Sequence, residues 1–253
     1  MTLRSRILLL LGLLYACLAP ALADTVVIAA EDDWAPYSSA AKGAKVPTGF
    51  AVDLVREAFK TQGIEVEFKV FPFARCLQQA ELGKVMGCFN ATIIDSNRDT
   101  YCWHPTPMFK EPLQILGQRT EQRRNLRIAD LEGRKVASTV GYTYPDSFTK
   151  NPRIQHFSAT SDDHLMRMLA AGRVEYALMN GTQAQMRIQA DPALKAKISV
   201  VGTISEDRFW VAFTKNHPDG HRYCQTFERG LQALHASGQY TAMERAFKQR
   251  LGF

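Results

Sequence analysis

Short apolar strands alternate with amphipathic helices along this chain, and the alternation runs through once and then begins again. Thr25 to Ala30 (TVVIAA) reads as a buried strand, and Gly49 to Phe59 (GFAVDLVREAF) has apolar residues at helical spacing. IEVEFKV alternates like a strand, and FARCLQQAEL is a second helix stopped by Gly83. VMGCF is a further strand, opening into a polar loop at Asn90. Near residue 130 the pattern restarts. DLEGRKVAST is a turn and a strand, and GYTYPDSF begins a new element. Ser161-Asp162-Asp163 is the capped start of a helix ending at Gly172, and VEYALM is a strand ending at Asn180. LGKVMGCFNAT and AGRVEYALMNGT share a layout: a helix-ending glycine, a basic residue, a valine, an apolar strand, then Asn and Thr in a loop. A last helical stretch, from about His221 to Gln249, contains the break SGQY. Strands alternating with helices imply parallel βαβ units, so the chain is expected to be α/β, with two units built alike.

The first 23 residues are read as a secretory signal and set aside. Arg4 and Arg6 precede the apolar run Ile7 to Leu14, and Ala21-Leu22-Ala23 is a small-residue cleavage site. Lipoprotein processing at Cys17 is the rival reading, and Tyr15 suits it poorly. No later stretch reaches 18 apolar residues, so a soluble mature protein beginning at Asp24 is expected. Losing Arg4 and Arg6 takes the formal charge of +6 down by two, and the remaining charges are interspersed. The densest basic run, Arg119 to Arg127, lacks the broad face and aromatics of a nucleic-acid site and reads as solvated surface. With 46% hydrophobic residues there is material for one core or two small ones.

Cys76, Cys88, Cys102 and Cys224 remain after cleavage, and four cysteines allow three pairings. A Cys88–Cys102 bond would close a loop around Arg98, and some of the four also read as buried small apolar residues. No CxxC is present. His217 and His221 have Pro218 and Gly220 between them and do not share a helical face, so no metal site is expected.

Ligands of open α/β sheets bind beyond the carboxyl ends of the strands. The loop after VMGCF, the loop after VEYALM and the turn Gly141-Tyr142-Thr143 after VAST all sit there, the last expected to open a helix. If the two units face each other, these loops line one cleft.

DWAPYSS, GFAVDLVREAF, the GKV strand, an arginine in the following loop, P-x-P-M-F and the closing HASGQYTAMERAFKQRLGF together resemble the polar amino-acid class of extracellular solute-binding proteins, family 3. The resemblance covers essentially the whole mature chain. It implies a two-lobed periplasmic binding protein fold, with each lobe a mainly parallel sheet flanked by helices and two crossing hinge strands. Lobe 1 would take residues 24–117 plus 209–253, and lobe 2 residues 118–208. It also implies a periplasmic monomer without enzymatic activity or cofactor. Such a protein closes on a small carboxylate-bearing solute and delivers it to an inner-membrane ABC permease.

The family's site residues carry over one by one. Arg98 stands where an arginine holds the ligand carboxylate; a guanidinium forms two parallel hydrogen bonds to a carboxylate and keeps its charge. Alone, Arg98 reads equally well as a surface partner of Asp95 or Asp99. Trp34 and Phe73 match aromatic walls, and core packing is the alternative for each. For Trp34, the neighbouring Asp33 and Pro36 favour an exposed loop. Asn90 and Thr92 lie where backbone and hydroxyl groups meet the ligand, and Thr143 matches a residue that helps bind the carboxylate. Asn180 departs from the pattern: many members carry an aspartate there for the ligand ammonium. Met86 departs too, standing where an acidic residue is common. Arg75 occurs in some branches. If it faced the cleft, two guanidiniums without a carboxylate would favour an anionic ligand lacking an amine. The competing functions are a dehydratase-like enzyme on the same scaffold, for which Glu31, Asp32 and Asp33 are the nearest acid–base candidates, and a free-standing partner of a membrane sensor.

Overall fold

The computed structural model describes residues 24–41 and 43–252; the signal sequence read at residues 1–23 lies outside the described residues. β1 (Asp24–Glu31) pairs in parallel with β4 (Ile64–Phe71) and β5 (Gly87–Ala91). The connections are a small hairpin, β2 (Asp33–Trp34) with β3 (Ser38–Ser39), and two helices, α1 (Phe50–Lys60) and α2 (Phe73–Glu81). The chain passes through β6 (Cys102–Trp103) into the long strand β7 (Phe109–Gln118). The second unit comprises β8 (Lys135–Thr139), α3 (Asp146–Thr149), β9 (Gln155–Ala159), α4 (Asp162–Ala170), β10 (Tyr176–Asn180), α5 (Gly181–Ala190) and α6 (Pro192–Lys197). β11 (Ile198–Phe213) returns the chain to the first unit, which α7 (Gly220–Ala236) and α8 (Gln239–Leu251) complete.

The strand order is β4-β1-β5-β11-β7-β10-β8-β9, with β6 also on β11. β11 serves both halves. Ile198 to Phe209 pair antiparallel with β7, and Trp210 to Phe213 pair antiparallel with β5. These two long strands are the crossing segments.

Period-two alternation decides which side of each sheet a residue covers. On β1, Val26, Ile28 and Ala30 join the core built with α1 and α7, while Ala29 faces the core built with α2. On β10, Tyr176 and Leu178 join one core, and Ala177 and Met179 the other. Among the described residues four buried clusters result, two per lobe. Membership changes from lobe 1 to lobe 2 between Phe109 and Leu113 on β7, and back between Val201 and Phe209 on β11.

α1 buries Phe50, Ala51, Leu54, Val55, Ala58 and Phe59, each side chain of Leu or Phe size contributing about 1.5–3 kcal/mol. Gly49 precedes it at φ 136, and a Cβ there would lie 2.3 Å from the Tyr37 carbonyl oxygen. Only glycine lets the helix start against the β2–β3 hairpin.

Cys88 bonds Cys76, a pairing the sequence left open, which ties α2 to β5, and Cys102 and Cys224 are free and buried. One sequence expectation needs correction. The turn at residues 141–143 does not open a helix. α3 begins only at Asp146, with Pro145 extended at its N-cap, because the proline ring holds the preceding residue out of helical conformation. Among the described residues no helix is long and apolar enough to cross a membrane.

Candidate functional site: the cleft between the lobes

The loops beyond β1, β5, β8 and β10 converge on a narrow cleft with room for about 30 Å³. Its lobe-1 wall is Glu31, Trp34, Phe73, Asn90, Thr92 and Phe209. Its lobe-2 wall is Tyr142, Thr143, Tyr144, Asp162, Leu178, Met179 and Asn180, with Asp207 from β11 at the crossing.

Asn90 is the extra residue of a bulge. On β11, Trp210 is opposite Ala91 and Val211 opposite Phe89, so Asn90 has no partner position, and its φ is 66°. A left-handed backbone inside a strand is costly for a residue with a Cβ, and a bulge is a means of re-aiming a side chain. The Asn90 amide is buried, and neither its oxygen nor its nitrogen makes a hydrogen bond. Asn180 ends β10 and caps α5, and its Nδ2 is likewise buried and unbonded. Asp162 opens α4, but Ser161 supplies the cap by accepting from the His164 N–H at 3.2 Å. The Asp162 carboxylate is thereby released toward the cleft. Oδ1 accepts from the Thr139 hydroxyl at 2.7 Å, and Oδ2 has no hydrogen bond. Buried polar atoms without a hydrogen bond cost about 1–3 kcal/mol each, and the two Asn90 amide atoms, with the Asp162 carboxylate and the Asn180 amide beside them, are a preformed set of contacts for a polar solute.

The cleft is acidic. Glu31 is 3% exposed, and burial raises its carboxyl well above the usual range; the neighbouring charges of Asp162, Asp32 and Asp33 push the same way, and the Tyr142 hydroxyl opposes them. Burial also raises Asp162 and Asp207, offset by the hydroxyls of Thr139 and Ser205 respectively. Among the described residues no lysine, arginine or histidine is in the cleft lining, although the Arg187 guanidinium lies 3.9 Å from the Asp162 carboxylate.

The lobes touch around it. The Tyr142 ring meets Phe73 edge-on at 5.8 Å, and its hydroxyl donates to the Asp33 carbonyl at 3.3 Å. Arg187 on α5 bonds Asp163 and reaches across to Asp33 at 3.5 Å, with Asp162 at 3.9 Å. Glu111 on β7 accepts from the Tyr37 hydroxyl and from the Thr182 N–H (3.0 Å) and hydroxyl (2.9 Å).

Of the residues singled out from sequence, the fold brings Trp34, Phe73, Asn90, Thr92, Thr143 and Asn180 around this cleft. Trp34 is buried rather than in an exposed loop, 4.9 Å from both Tyr37 and Phe209 between ring centroids. Arg98 and Arg75 are not in the lining. Arg98 sits in the turn after Thr92, its side chain 61% exposed and bonded to Asp95 at 3.2 Å. Arg75 is exposed, with its guanidinium over the Phe71 ring. The condition for a two-arginine cleft is therefore unmet, because Arg75 points outward from the first turn of α2. Tyr142, Tyr144, Asp162 and Asp207 escaped the site reading. Asp162 looked like part of a helix cap, and the signal for it was redundancy: Ser161 already satisfies that role.

The chain belongs to the bacterial extracellular solute-binding proteins, family 3, whose family model matches residues 26–249. No curated protein matches it. Among solved structures it is similar to an ancestral arginine-binding protein bound to arginine (19% identity, TM-score 0.75, covering 88% of this chain and 97% of that one). It is similar also to an amino acid ABC transporter substrate-binding protein of Streptococcus pneumoniae bound to L-arginine (19%, 0.72, 88% and 94%). A histidine kinase sensor domain with similarity to periplasmic binding proteins is as alike in fold (22%, 0.75, 88% and 95%).

Proposed function

We propose that this chain captures a small amino-acid-like solute with a positively charged group in the cleft between its lobes, and delivers it to an inner-membrane ABC importer. The observation that carries the reading is the acidic lining, in which Glu31, Asp162 and Asp207 outnumber the Arg187 guanidinium that reaches Asp162 at 3.9 Å. Carboxylates crowded in a low-dielectric site hold protons that a bound cation displaces, so the favoured guest is cationic. Trp34, Phe73, Phe209 and Tyr142 offer ring faces to the rest of the solute, and Asn90 and Asn180 offer amides. The solute's carboxylate is met by Arg98, which swings inward from Asp95; an exposed ion pair of that kind is worth about 0–1 kcal/mol, so the swing costs little. Arginine, bound by two similar structures, is a solute of this type. The protein works as a periplasmic monomer after cleavage behind Ala23, without turnover.

Calorimetry of the mature chain tests this with basic amino acids, neutral amino acids, polyamines and dicarboxylates. Binding of a basic amino acid is expected, weakened tenfold or more, about 1.4 kcal/mol, by Asp162→Asn and again by Arg98→Ala. Binding confined to dicarboxylates overturns the reading. Polyamines binding as tightly as the amino acid would remove Arg98 from the site, and chemical conversion of the bound solute would make the carboxylates acid–base groups. A second reading, delivery to a membrane sensor, is favoured by the sensor-domain likeness. Pull-down of the loaded protein with a permease or with a sensor kinase separates the two.

A further inference from the structure

Two buried thiols of the lobe-1 core, Cys102 and Cys224, lie outside the cleft lining. Cys102 is on the two-residue strand β6, pinned to β11 opposite Phe213. His221 and Cys224 are three residues apart on α7 and therefore share a helix face. That face packs on β6: the His221 Nδ1 is 3.0 Å from the Cys102 Sγ, and Cys102 and Cys224 belong to the same buried cluster. Cysteines used only as small apolar residues have no need of a hydrogen-bonding imidazole. His221 is itself exposed and lines a surface hollow with Lys215 and His217, which gives a reagent a way in.

We propose that Cys102 and Cys224 are a redox-convertible pair: Cys102, activated by His221, attacks an external disulfide, and Cys224 resolves the adduct into a second intramolecular disulfide that ties β6 to α7. The electrostatics agree. The neighbouring Cys224 thiol draws the Cys102 ionisation down to about 6, opposed by burial and helped by His221 and by the charge of Lys215. The same contact pushes Cys224 up, so the two thiols divide into nucleophile and proton donor.

The exchange balances without a further reactant. His221 takes the Cys102 proton. The Cys102 thiolate attacks one sulfur of a disulfide R–S–S–R, forming a mixed disulfide and expelling RS⁻, which takes the proton from His221. Cys224 then loses its proton and attacks Cys102, breaking the mixed disulfide and expelling the second RS⁻, which leaves as RSH. The two cysteines are oxidised by two electrons, and one external disulfide is reduced to two thiols. Cys76 and Cys88 are already bonded and do not compete.

The test uses the full mature chain, freed of reductant and incubated with oxidised glutathione. Thiols are counted after denaturation, and peptides are mapped by mass spectrometry. The expected result is loss of both free thiols, a linked Cys102–Cys224 peptide, and a melting temperature higher by about 5–10 °C. Cys224→Ser stops at a glutathione adduct on Cys102. His221→Gln slows iodoacetamide alkylation of Cys102 at pH 7 by about tenfold and moves its pH midpoint up toward the ordinary thiol value. Two thiols that stay free in excess glutathione, or a glutathione adduct that persists in the wild-type chain, overturn the pair. An alkylation midpoint unmoved by His221→Gln overturns the role of the histidine. The wild-type map decides the pairing by itself if a variant does not fold.

Discussion

Asn90 shows how one residue joins strain to chemistry. Its left-handed backbone and two unpaired buried amide atoms both weigh against stability, and both aim polar groups into the cleft. Asn90→Gly removes the strain and the orphaned amide together. Solute affinity is expected to fall about 5- to 100-fold, the worth of one or two buried hydrogen bonds, while the melting temperature holds or rises. Calorimetry and a thermal melt on the same sample check the split; parallel losses in both would make Asn90 a structural residue. Asn90 was conspicuous in the sequence because it ends an apolar strand. The bulge that turns it inward was not, because a bulge is a mismatch with a strand 120 residues away.

At the scale of elements, α7 does more than cover the sheet. Glu228 accepts from the Thr106 N–H at 3.0 Å and hydroxyl at 2.7 Å, and lies 3.6 Å from the buried His104 Nδ1. The His104 contact first, then Thr106, holds the Glu228 carboxyl at about 2. A lowered folded-state pKa means the unfolded chain binds the proton more readily. The stabilisation is therefore present above the unfolded value of 4.5 and is lost as pH falls toward 2. Glu228→Gln is expected to cost roughly 2–3 kcal/mol at pH 7 and to flatten the loss of stability between pH 4.5 and 2. Urea titrations across that range measure it, and an unchanged acid limb would assign the loss to other carboxylates. The helices and strands were legible at this scale because burial repeats at 3.6 and 2. The helix expected at Thr143 failed where Pro145 overrode the pattern.

The whole molecule is held shut by few contacts: Arg187 to Asp33, Tyr142 to Phe73 and Asp33, and Glu111 between Tyr37 and Thr182. Burial in this arrangement raises the carboxyls of Glu31, Asp162 and Asp207. Opening of the cleft is expected to rehydrate them and lower their pKa. The closed empty form therefore holds protons more tightly, and its advantage is lost as pH rises above the ordinary carboxylate values of 3.8 and 4.5. A cationic solute reverses the balance by favouring the ionised carboxyls. Its affinity is expected to rise from pH 5 to pH 8, with protons released on binding. Calorimetry in buffers of different ionisation enthalpy reads that release directly, and proton uptake would contradict it. Arg187→Ala, by removing the cross-lobe pair, is expected to expand the empty protein in small-angle scattering and leave the lobe cores intact.

Strand and helix order, the two like-built halves and the loops at the carboxyl ends of the strands were all determined by the sequence alone, because hydrophobic periodicity and turn residues act over a few neighbours. Six of the eight residues that the family resemblance singled out lie around one cleft. The charge of the cleft was decided only in three dimensions. Glu31, Asp162 and Asp207 are far apart in the chain, and each has an innocent local reading; packing of the two lobes across the crossing strands brought them around one cleft. The same packing left Arg98 and Arg75 in solvent beside Asp95 and Phe71, since a guanidinium stays hydrated unless the fold supplies a buried partner.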